Sequence, residues 1–475
     1  MKPVLVLDVA GLTPRAIGAR TPHLAELSKR GACSPMAALL PALTLSMQAT
    51  FLTGSAPNRH GAVGNGWYFR ELGEAWLWRQ PNALVSGEKV YERARRLDPG
   101  FTCAKLFWWW NLGAAVDWSL TPRPFYPADG RKIPALYGTP RGFAGLGGTP
   151  RGFEEETEAE LGPFPFFQFW GPKAGLPSSE WIARATARTL EKHRPTLTLA
   201  YLPHLDYDPQ RFGPGAPRSL EALTEVDRLV GELVLEADSL GVETVVLSEY
   251  GIEPVDRPVH VNVALREAQL LAVRATPEGE LLDPFASRAF AVADHQIAHV
   301  YARDARAARE ACAVLERLPG VEEILDQAGK RRALLDHPRS GELVLVAARG
   351  AWFTYDYWLD PGEAPDFART VDIHRKPGYD PRELFVDPEL AFPKLRVARR
   401  LAQKALGFRY LMDVVPLDAS LVRGSHGRLP DDPRDGPLFL STVPFERCGG
   451  APTNGIVDPR SIPERMLALL TRSGT

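Results

Sequence analysis

Three acidic residues stand where apolar segments of the chain end. Asp8 lies in "VLVLDV" (residues 4–9), Asp206 follows "TLTLAYLP", and Glu249 follows "ETVVLS". Carboxylates brought together repel one another and raise each other's pKa, a cost that a bound divalent cation removes. The alternative is that each acid caps a following helix. Three acids at corresponding positions favour oxygen-rich metal coordination over separate caps.

A candidate nucleophile lies in the segment "PALTLSMQATFLTG" (41–54). The pattern predicts a helix over 45–52 that begins just after Thr44. Unpaired amides and the helix dipole at such a terminus stabilise an anion, including an alkoxide or a phosphate oxygen. A metal bound to the hydroxyl would lower its pKa further. The alternatives are a plain capping role for Thr44, or Ser46 as the nucleophile.

Alternating strands and helices must position these residues. Apolar, β-branched runs predict buried strands, and amphipathic runs between them predict helices. Such alternation implies right-handed βαβ units, and therefore an α/β fold with a doubly wound, mainly parallel sheet and helices on both faces. Ligand sites gather at the carboxyl ends of parallel strands. The predicted strands are 4–9, 196–203 and 243–248, and the predicted helices are 21–31, 45–52, 179–193 and 219–241.

Two long segments interrupt this alternation. Residues 66–175 are rich in Pro, Gly and aromatic side chains, including "LFWWWN" at 106–111, and residues 255–420 form a second irregular stretch. We predict one α/β domain over 1–475, with 66–175 as an aromatic-rich insertion or cap and 255–420 as a second insertion. The Phe107–Trp110 cluster is predicted to be core, with stacking on an aromatic substrate group as the alternative.

The composition excludes several classes of protein. Of 475 residues, 45% are hydrophobic and 24% charged, and the formal net charge is −2, which gives no field directed at a nucleic-acid polymer or a membrane surface. The four cysteines lack CxxC spacing, which argues against a zinc-thiolate site and a disulfide framework. The first residues do not read as a signal peptide, and no apolar run is long enough to span a bilayer. We expect a cytoplasmic protein.

Several motifs occur in a characteristic order along the chain. They are "VLDVAGL", "TPHLAELSKRG", "LTLSMQATFLTG", "HGAVGN" (60–65), a D-x-x-x-Q-x-x-G-P pattern at 206–214, "SEYG" (248–251) and "GSHG" (424–427). In this order and spacing the sequence resembles the alkaline phosphatase superfamily, and within it the nucleotide pyrophosphatase/phosphodiesterase branch. The N-terminal 65 residues carry the most specific part of the resemblance.

The resemblance implies a site that binds one or two divalent metal ions (Zn, Mn or Fe). Thr44 would attack phosphorus and form a phospho-threonine, and Asn65 would donate a hydrogen bond to a phosphate oxygen. The implied ligands of one metal are Asp8, Thr44, Glu249 and Tyr250, and those of the other are Asp206, Gln210 and His426.

Three of these positions depart from the family pattern. The family has His where this chain has Gln210, and Asp-His where it has Glu249-Tyr250. An amide oxygen is a weaker ligand than an imidazole, so we expect the Asp206 site to hold metal more weakly than the Asp8 site. Other histidines could compensate, although a structural, hydrogen-bonded role is favoured for each of them: His204, His260, His295, His299 and His374.

The sequence therefore predicts a metal-dependent phosphoric ester hydrolase of the phosphodiesterase type, acting on a small phosphate ester. One alternative is a phosphomonoester, phosphonate or sulfate ester hydrolase, or a phosphoryl transferase, of the same superfamily. A second alternative is a non-catalytic protein that binds a phosphorylated metabolite; retention of Thr44 and Asn65 argues against it. The sequence indicates no oligomeric state.

Overall fold

A mostly parallel sheet forms the centre of the molecule. The computed structural model describes residues 1–128, 132–143, 150–408 and 410–471. In these residues the central sheet has eight strands. In spatial order they are Ala32–Pro35, Leu438–Ser441, Glu243–Leu247, Val4–Val9, Leu197–Leu202, Cys103–Leu106, Trp118–Pro122 and Leu136–Gly138.

The parallel part of the sheet surrounds its first strand. Val4–Val9 pairs in parallel with Leu197–Leu202 on one side and with Glu243–Leu247 on the other. Cys103–Leu106 and Trp118–Pro122 extend the parallel run. Two strands run against this direction, Leu438–Ser441 next to one edge and Leu136–Gly138 at the other. The carboxyl ends of the three strands that precede the candidate acids therefore lie side by side.

The first strand is buried on both faces, as its continuous apolar run predicts. Val4 and Val6 pack into one hydrophobic cluster, together with the helices Thr44–Thr53, Val90–Leu97 and Ile462–Thr471. Leu5, Leu7 and Val9 pack into the other cluster, with Pro22–Arg30, Leu176–His193 and Pro217–Ser239. Helices thus cover both faces of the sheet, and the predicted doubly wound α/β fold is confirmed.

The helix Pro22–Arg30 shows how local sequence sets its ends. Pro22 occupies the first helical position and Gly31 follows the last, as predicted. The Thr21 hydroxyl does not cap the helix but donates to the Ala16 carbonyl. The free amides of the first turn bond instead to the carboxylate of Asp227. A Cβ on Gly31 would lie 2.0 Å from a carbonyl oxygen of the strand Leu438–Ser441, so a close approach requires glycine there.

Segment 66–175 contributes to the sheet itself. Three of the central strands, Cys103–Leu106, Trp118–Pro122 and Leu136–Gly138, come from this segment. Part of this segment therefore lies in the core of the central sheet. Frequent Pro, Gly and Trp concealed these strands, each of which is five residues or shorter.

Segment 255–420 builds a sheet of its own. In the described residues this sheet has four strands, in the order Ala289–Asp294, Ile297–Ala302, Leu343–Ala347 and Val321–Leu325. None of these strands joins the central sheet. The division of the chain into one domain with two insertions stays a proposal.

The remaining regular elements are short. The other helices are Pro57–His60, Phe153–Leu161, Asp208–Phe212, Val261–Glu267, Ala305–Leu315, Gln327–Arg332 and Pro393–Ala405. Two-stranded pairs join Gly66–Phe69 to Glu74–Leu77, Pro140–Phe143 to Pro150–Gly152, Glu253–Pro254 to Gly424–Ser425, Arg257–Val259 to Ala351–Phe353, and Val273–Thr276 to Gly279–Leu282. Among the helices described, none combines the length and the hydropathy that a bilayer crossing requires.

Candidate functional site

The three candidate acids meet at the carboxyl edge of the sheet. Asp8 lies next to the end of its strand, in register with Leu247 of the neighbouring strand. Glu249 follows that neighbouring strand, and Asp206 ends a short 3-10 turn after the strand Leu197–Leu202. Asp8 and Glu249 are wholly buried. The structure thus brings these acids together, as their positions at strand ends predict.

The side chain of Gln48 connects two of the acids. Its Nε2 donates to Asp8 Oδ2 at 2.8 Å and to Glu249 Oε1 at 3.1 Å. Its Oε1 accepts from the Trp109 amide at 2.8 Å, which fixes the orientation of the side-chain amide. Sequence reasoning missed Gln48. The sequence signal for Gln48 was its spacing from Thr44. It lies four residues later and therefore on the same face of the helix.

Burial and proximity change the protonation of this acid pair. Burial raises the pKa of Asp8 well above its usual value, and the neighbouring Glu249 charge raises it further. Burial raises the pKa of Glu249 to about 7. A nearby cation would reverse both effects, because it stabilises the ionised form of each carboxyl.

Thr44 lies at the N-terminus of a helix, as predicted, but the helix spans Thr44–Thr53 and so begins one residue earlier than the predicted 45–52. Its side chain is buried, and its Oγ1 lies 3.2 Å from the hydroxyl of Tyr250. The next amide, that of Leu45, donates to Asn65 Oδ1 at 3.0 Å. The structure therefore joins Thr44, Asn65 and Tyr250 in one cluster at a helix N-terminus.

Asn65 is held in place by an acid from the second long segment. Its backbone amide donates to Asp294 Oδ2 at 2.7 Å, and its Nδ2 donates to Asp294 Oδ1 at 3.1 Å. Burial raises the pKa of Asp294 to about 6, and these two donors oppose that rise. An Asn side-chain amide carries two hydrogens, so one stays available to a ligand. Sequence reasoning missed Asp294, which lies far from Asn65 in the chain.

Tyr250 bridges the nucleophile candidate and the third acid. Its hydroxyl donates to Asp206 Oδ1 at 3.1 Å while lying beside Thr44. Burial, followed by the Asp206 charge, raises the pKa of Tyr250 well above its usual value, so the phenol stays protonated. Burial also raises the pKa of Asp206, to about 7, against the hydrogen bond from Tyr250.

Gln210 lies beside Asp206 but is engaged by other groups. Its Nε2 donates to the backbone carbonyl of Asp206 at 2.7 Å, and its Oε1 accepts from the Tyr379 hydroxyl at 2.9 Å. The only metal-binding atom of the amide is therefore hydrogen-bonded to a phenol. Tyr379, from the second long segment, is a further residue that sequence reasoning missed.

His426 presents an unpaired nitrogen to the same place. Its Nδ1 lies 3.0 Å from the Ala42 carbonyl, which can only accept, so Nδ1 carries the proton. Its Nε2 is buried without a hydrogen-bond partner and lies 3.7 Å from Asp206 Oδ1. The ring stacks on Tyr250 with centroids 3.4 Å apart. Burial lowers the pKa of His426 well below its usual value, which keeps the imidazole neutral.

The other histidines divide into two groups. Four have hydrogen-bond partners outside the acid cluster, in keeping with a structural role: His204 with Glu225, His260 with Thr354, His299 with Val63 and Gly341, and His374 with Leu77. The fifth, His295, lies in the site, where its ring stacks on Tyr379 and is tilted by 40° against the ring of His426.

The aromatic cluster Phe107–Trp110 is largely core, as predicted. All four side chains are buried, and Trp109 is the most accessible at 8%. The Trp110 indole donates to the Leu45 carbonyl in the first turn of the Thr44 helix. The cluster thus supports the helix that carries the nucleophile candidate.

Several buried atoms of the site fit a bound cation. Asp8 Oδ1, Glu249 Oε2 and His426 Nε2 all lack a hydrogen-bond partner. All three carry lone pairs, and two belong to carboxyl groups, the ligand types that Zn and Mn accept. In the part of the chain that the structure describes, no three His, Cys, Asp or Glu side chains are already grouped closely enough to hold a metal. Asp8 Oδ1, Glu249 Oε2 and His426 Nε2 are therefore candidate ligands and do not form an assembled metal site.

Comparison with solved structures supports the fold. Phosphonoacetate hydrolase from Sinorhizobium meliloti 1021, in complex with phosphonoformate, superposes with a TM-score of 0.61 over 98% of this chain and 96% of that chain, at 17% identity. Murine ectonucleotide pyrophosphatase/phosphodiesterase 5, in an inactive form with AMP, superposes with a TM-score of 0.57 over 100% and 96%, at 12% identity. Likeness at such low identity establishes the shared fold.

Comparison of sequences identifies the family. An uncharacterized pyrophosphatase/phosphodiesterase of Schizosaccharomyces pombe is 23% identical over 239 residues, which cover 49% of this chain and 41% of that protein. The family model for type I phosphodiesterase/nucleotide pyrophosphatase matches residues 4–380. That match includes all the strand-end acids and Thr44. The chain therefore belongs to the type I phosphodiesterase/nucleotide pyrophosphatase family, as its motifs predict.

Proposed function

We propose that this protein is a metal-dependent phosphoric ester hydrolase of the phosphodiesterase type that acts through a phospho-threonine at Thr44. The observation that carries the proposal is the placement of Thr44 on the first turn of a helix, between Tyr250 and the amide that Asn65 binds. Membership of the type I phosphodiesterase/nucleotide pyrophosphatase family supports the reaction class.

Thr44, Tyr250 and Asn65 would have different roles in an in-line displacement at phosphorus. Oγ1 of Thr44 would form a bond to phosphorus as the bond to the leaving alcohol breaks, and water would then hydrolyse the phospho-threonine. The Tyr250 hydroxyl donates to Asp206, so its oxygen can accept the hydrogen of Thr44 and offer the departing proton a path. The spare amide hydrogen of Asn65 would bind a phosphate oxygen.

The acids and His426 would hold one or two divalent cations, with Zn, Mn or Fe as the candidates. Asp206 and His426 would hold one, and Asp8, Thr44 and Glu249 the other. When bound, such cations supply positive charge that offsets the charge developing on phosphate oxygens. The unpaired oxygens of Asp8 and Glu249 and the unpaired nitrogen of His426 support this assignment. The engagement of Gln210 and Tyr250 in other hydrogen bonds weighs against those two as ligands.

We propose a small phosphate ester as substrate, and a cytoplasmic setting. No disulfide joins the cysteines in the residues that the structure describes, which is compatible with a reducing compartment. A phosphonate or phosphomonoester substrate stays the second candidate, because Glu249, Tyr250 and Gln210 replace the family's usual ligands.

The test is turnover of aryl phosphate diesters, aryl phosphate monoesters and phosphonoacetate by the wild type and two variants. Thr44→Ala should lower turnover by about 10³-fold or more, because it removes covalent catalysis. Ser46→Ala is the matched control, since its buried hydroxyl lies two residues along the same helix and has no hydrogen-bond partner. Phosphorylated Thr44 should be detectable by mass spectrometry after rapid acid quench.

Two outcomes would overturn this assignment. If Thr44→Ala kept wild-type turnover and Ser46→Ala lost it, Ser46 would be the nucleophile. If the wild type bound phosphate esters but hydrolysed none of them with Zn, Mn or Fe added, the protein would be a non-catalytic binder.

A further inference from the structure

His295 lies in a tight turn between two strands of the second long segment. The strands Ala289–Asp294 and Ile297–Ala302 form an antiparallel hairpin, and His295 and Gln296 connect them. The backbone of His295 is left-handed, with φ of 59°, a conformation uncommon for a residue with a side chain. The surrounding structure therefore determines where its imidazole points.

Backbone hydrogen bonds and ring contacts connect this turn to the candidate site. The Gln296 amide donates to the His426 carbonyl at 3.0 Å, and the Phe353 amide donates to the His295 carbonyl at 2.7 Å. The ring of His295 lies with its centroid 4.0 Å from that of His426 and 3.6 Å from that of Tyr379. His295 is thus packed between His426 and the phenol that engages Gln210.

The tautomer of His295 leaves one lone pair unused. Its Nδ1 lies 2.8 Å from Asp294 Oδ1, and a carboxylate oxygen only accepts, so Nδ1 carries the proton. Its Nε2 is buried without a hydrogen-bond partner, and the side chain is 2% exposed. A histidine whose other nitrogen donates to a carboxylate is the usual form of a metal-binding histidine.

His426 repeats this arrangement, with the Ala42 carbonyl in place of the carboxylate. Two adjacent imidazoles then both present a lone pair at Nε2, so neither can donate to the other. The Asp206 carboxylate adds a third acceptor, 3.7 Å from His426 Nε2. A buried group of acceptors without enough donors needs a bound cation or an ordered water to satisfy it.

We infer that His295 is a metal ligand that replaces the missing histidine at position 210. Asp206, His426 and His295 are not close enough together in the structure to hold an ion, and they would move together to bind one divalent cation. This inference rests on the proposed metal-dependent function. Two ligand atoms of one tetrahedral zinc lie about 3.4 Å apart when each bond is about 2.0–2.2 Å long. The 3.7 Å separation of His426 Nε2 and Asp206 Oδ1 is close to that value.

This ligand set explains how Gln210 can be tolerated. The amide of Gln210 gives its oxygen to Tyr379, and Tyr379 in turn stacks on His295. Gln210 therefore positions the imidazole of His295 through Tyr379. The ligand itself, His295, comes from the second long segment. Gln210 is then no longer a reason to expect that the Asp206 site binds metal more weakly than the Asp8 site.

The test is binding of Zn²⁺ and Co²⁺ to metal-free protein, measured by titration calorimetry, with the visible absorption of bound Co²⁺ as a readout of ligand number. His295→Asn is the main variant. Asn tolerates left-handed backbone, and its Nδ2 can keep the hydrogen bond to Asp294, while the Nε2 lone pair is removed. His299→Gln is the matched control, because His299 is equally buried in the same hairpin and both its nitrogens have partners.

His295→Asn should weaken binding of one equivalent of Zn²⁺ by about 100-fold or more and change the Co²⁺ absorption, while His299→Gln leaves both unchanged. Adding Gln210→His to His295→Asn should restore much of the affinity. Wild-type Zn²⁺ affinity in His295→Asn, together with loss of that site in His426→Ala, would overturn the role of His295 but not the metal-dependent function. A wild type that binds neither metal would overturn both.

Discussion

Replacing Gln48 with Glu tests whether its amide neutralises the Asp8–Glu249 pair. The two side chains have the same size, so no cavity is created. Glu keeps the oxygen that accepts from the Trp109 amide, but it loses the nitrogen that donates to Asp8 and Glu249. The change therefore removes two hydrogen bonds and adds a third carboxyl to the pair.

The expected cost follows from those two bonds. A hydrogen bond to a charged group contributes about 1.5–3 kcal/mol, so losing both lowers the free energy of unfolding by about 3–6 kcal/mol. The loss should be smaller at pH 5, where a protonated Glu at position 48 can again donate to one neighbour. Added Mn²⁺ should restore stability, because three carboxylates form an oxygen-rich site.

The assay is urea unfolding at pH 8 and pH 5, with a chelator and then with Mn²⁺. Gln327→Glu is the control, since the Gln327 side chain donates to Asp336 at 2.7 Å but lies at the surface. Water screens the new charge pair there, so the control should lose less than about 1 kcal/mol. If Gln48→Glu were as stable as the wild type at pH 8 in chelator, the bridging role of Gln48 would be refuted.

Three further predictions concern other parts of the molecule. Asn65→Ala should lower kcat/KM for an aryl phosphodiester by about 10²–10³-fold, as loss of one donor to a developing oxyanion does. Gly31→Ala should lower the free energy of unfolding by about 3 kcal/mol, because its Cβ would meet a carbonyl oxygen at 2.0 Å, whereas Gly18→Ala, with open space around it, should not change thermal stability. Metal-free wild type should lose stability relative to Glu249→Gln, whose residue 249 cannot titrate, as pH rises from 5 to 8 in thermal melts; the comparison cancels the buried histidines, whose lowered pKa values act in the opposite direction. The folded pKa values of Asp206 and Glu249 are about 7, above their unfolded values, so the folded state binds protons more tightly, and this contribution is lost as pH passes 7. A wild-type stability, taken relative to Glu249→Gln, that is flat or rises over this range in chelator would contradict the last prediction.

Much of the core could be predicted because its signals are local. The strand Val4–Val9 and the helices Pro22–Arg30 and Thr44–Thr53 follow from apolar runs, Pro at a helix start and Gly at a helix end. Once the strands are parallel, the meeting of Asp8, Asp206 and Glu249 at one edge follows from topology alone.

The missed residues depend on contacts that no local pattern encodes. Asp294 reaches Asn65 across 229 positions, and Tyr379 reaches Gln210 across 169. The short strands of segment 66–175 were missed for a different reason, since frequent Pro and Gly obscure periodicity over so few residues. Gln48 alone had a sequence signal, its helical spacing from Thr44.

Four adjacent rings at the site come from different parts of the chain: Tyr250 and His426 form one stacked pair, and His295 and Tyr379 form another. His295 and Tyr379 belong to the second long segment, residues 255–420. The same segment supplies Asp294, which accepts a hydrogen bond from Asn65. Exchanging this segment with that of a relative would therefore change the candidate site itself along with its rim. The segment cannot be replaced as an independent unit, because its residues also hold Asn65 and pack on His426.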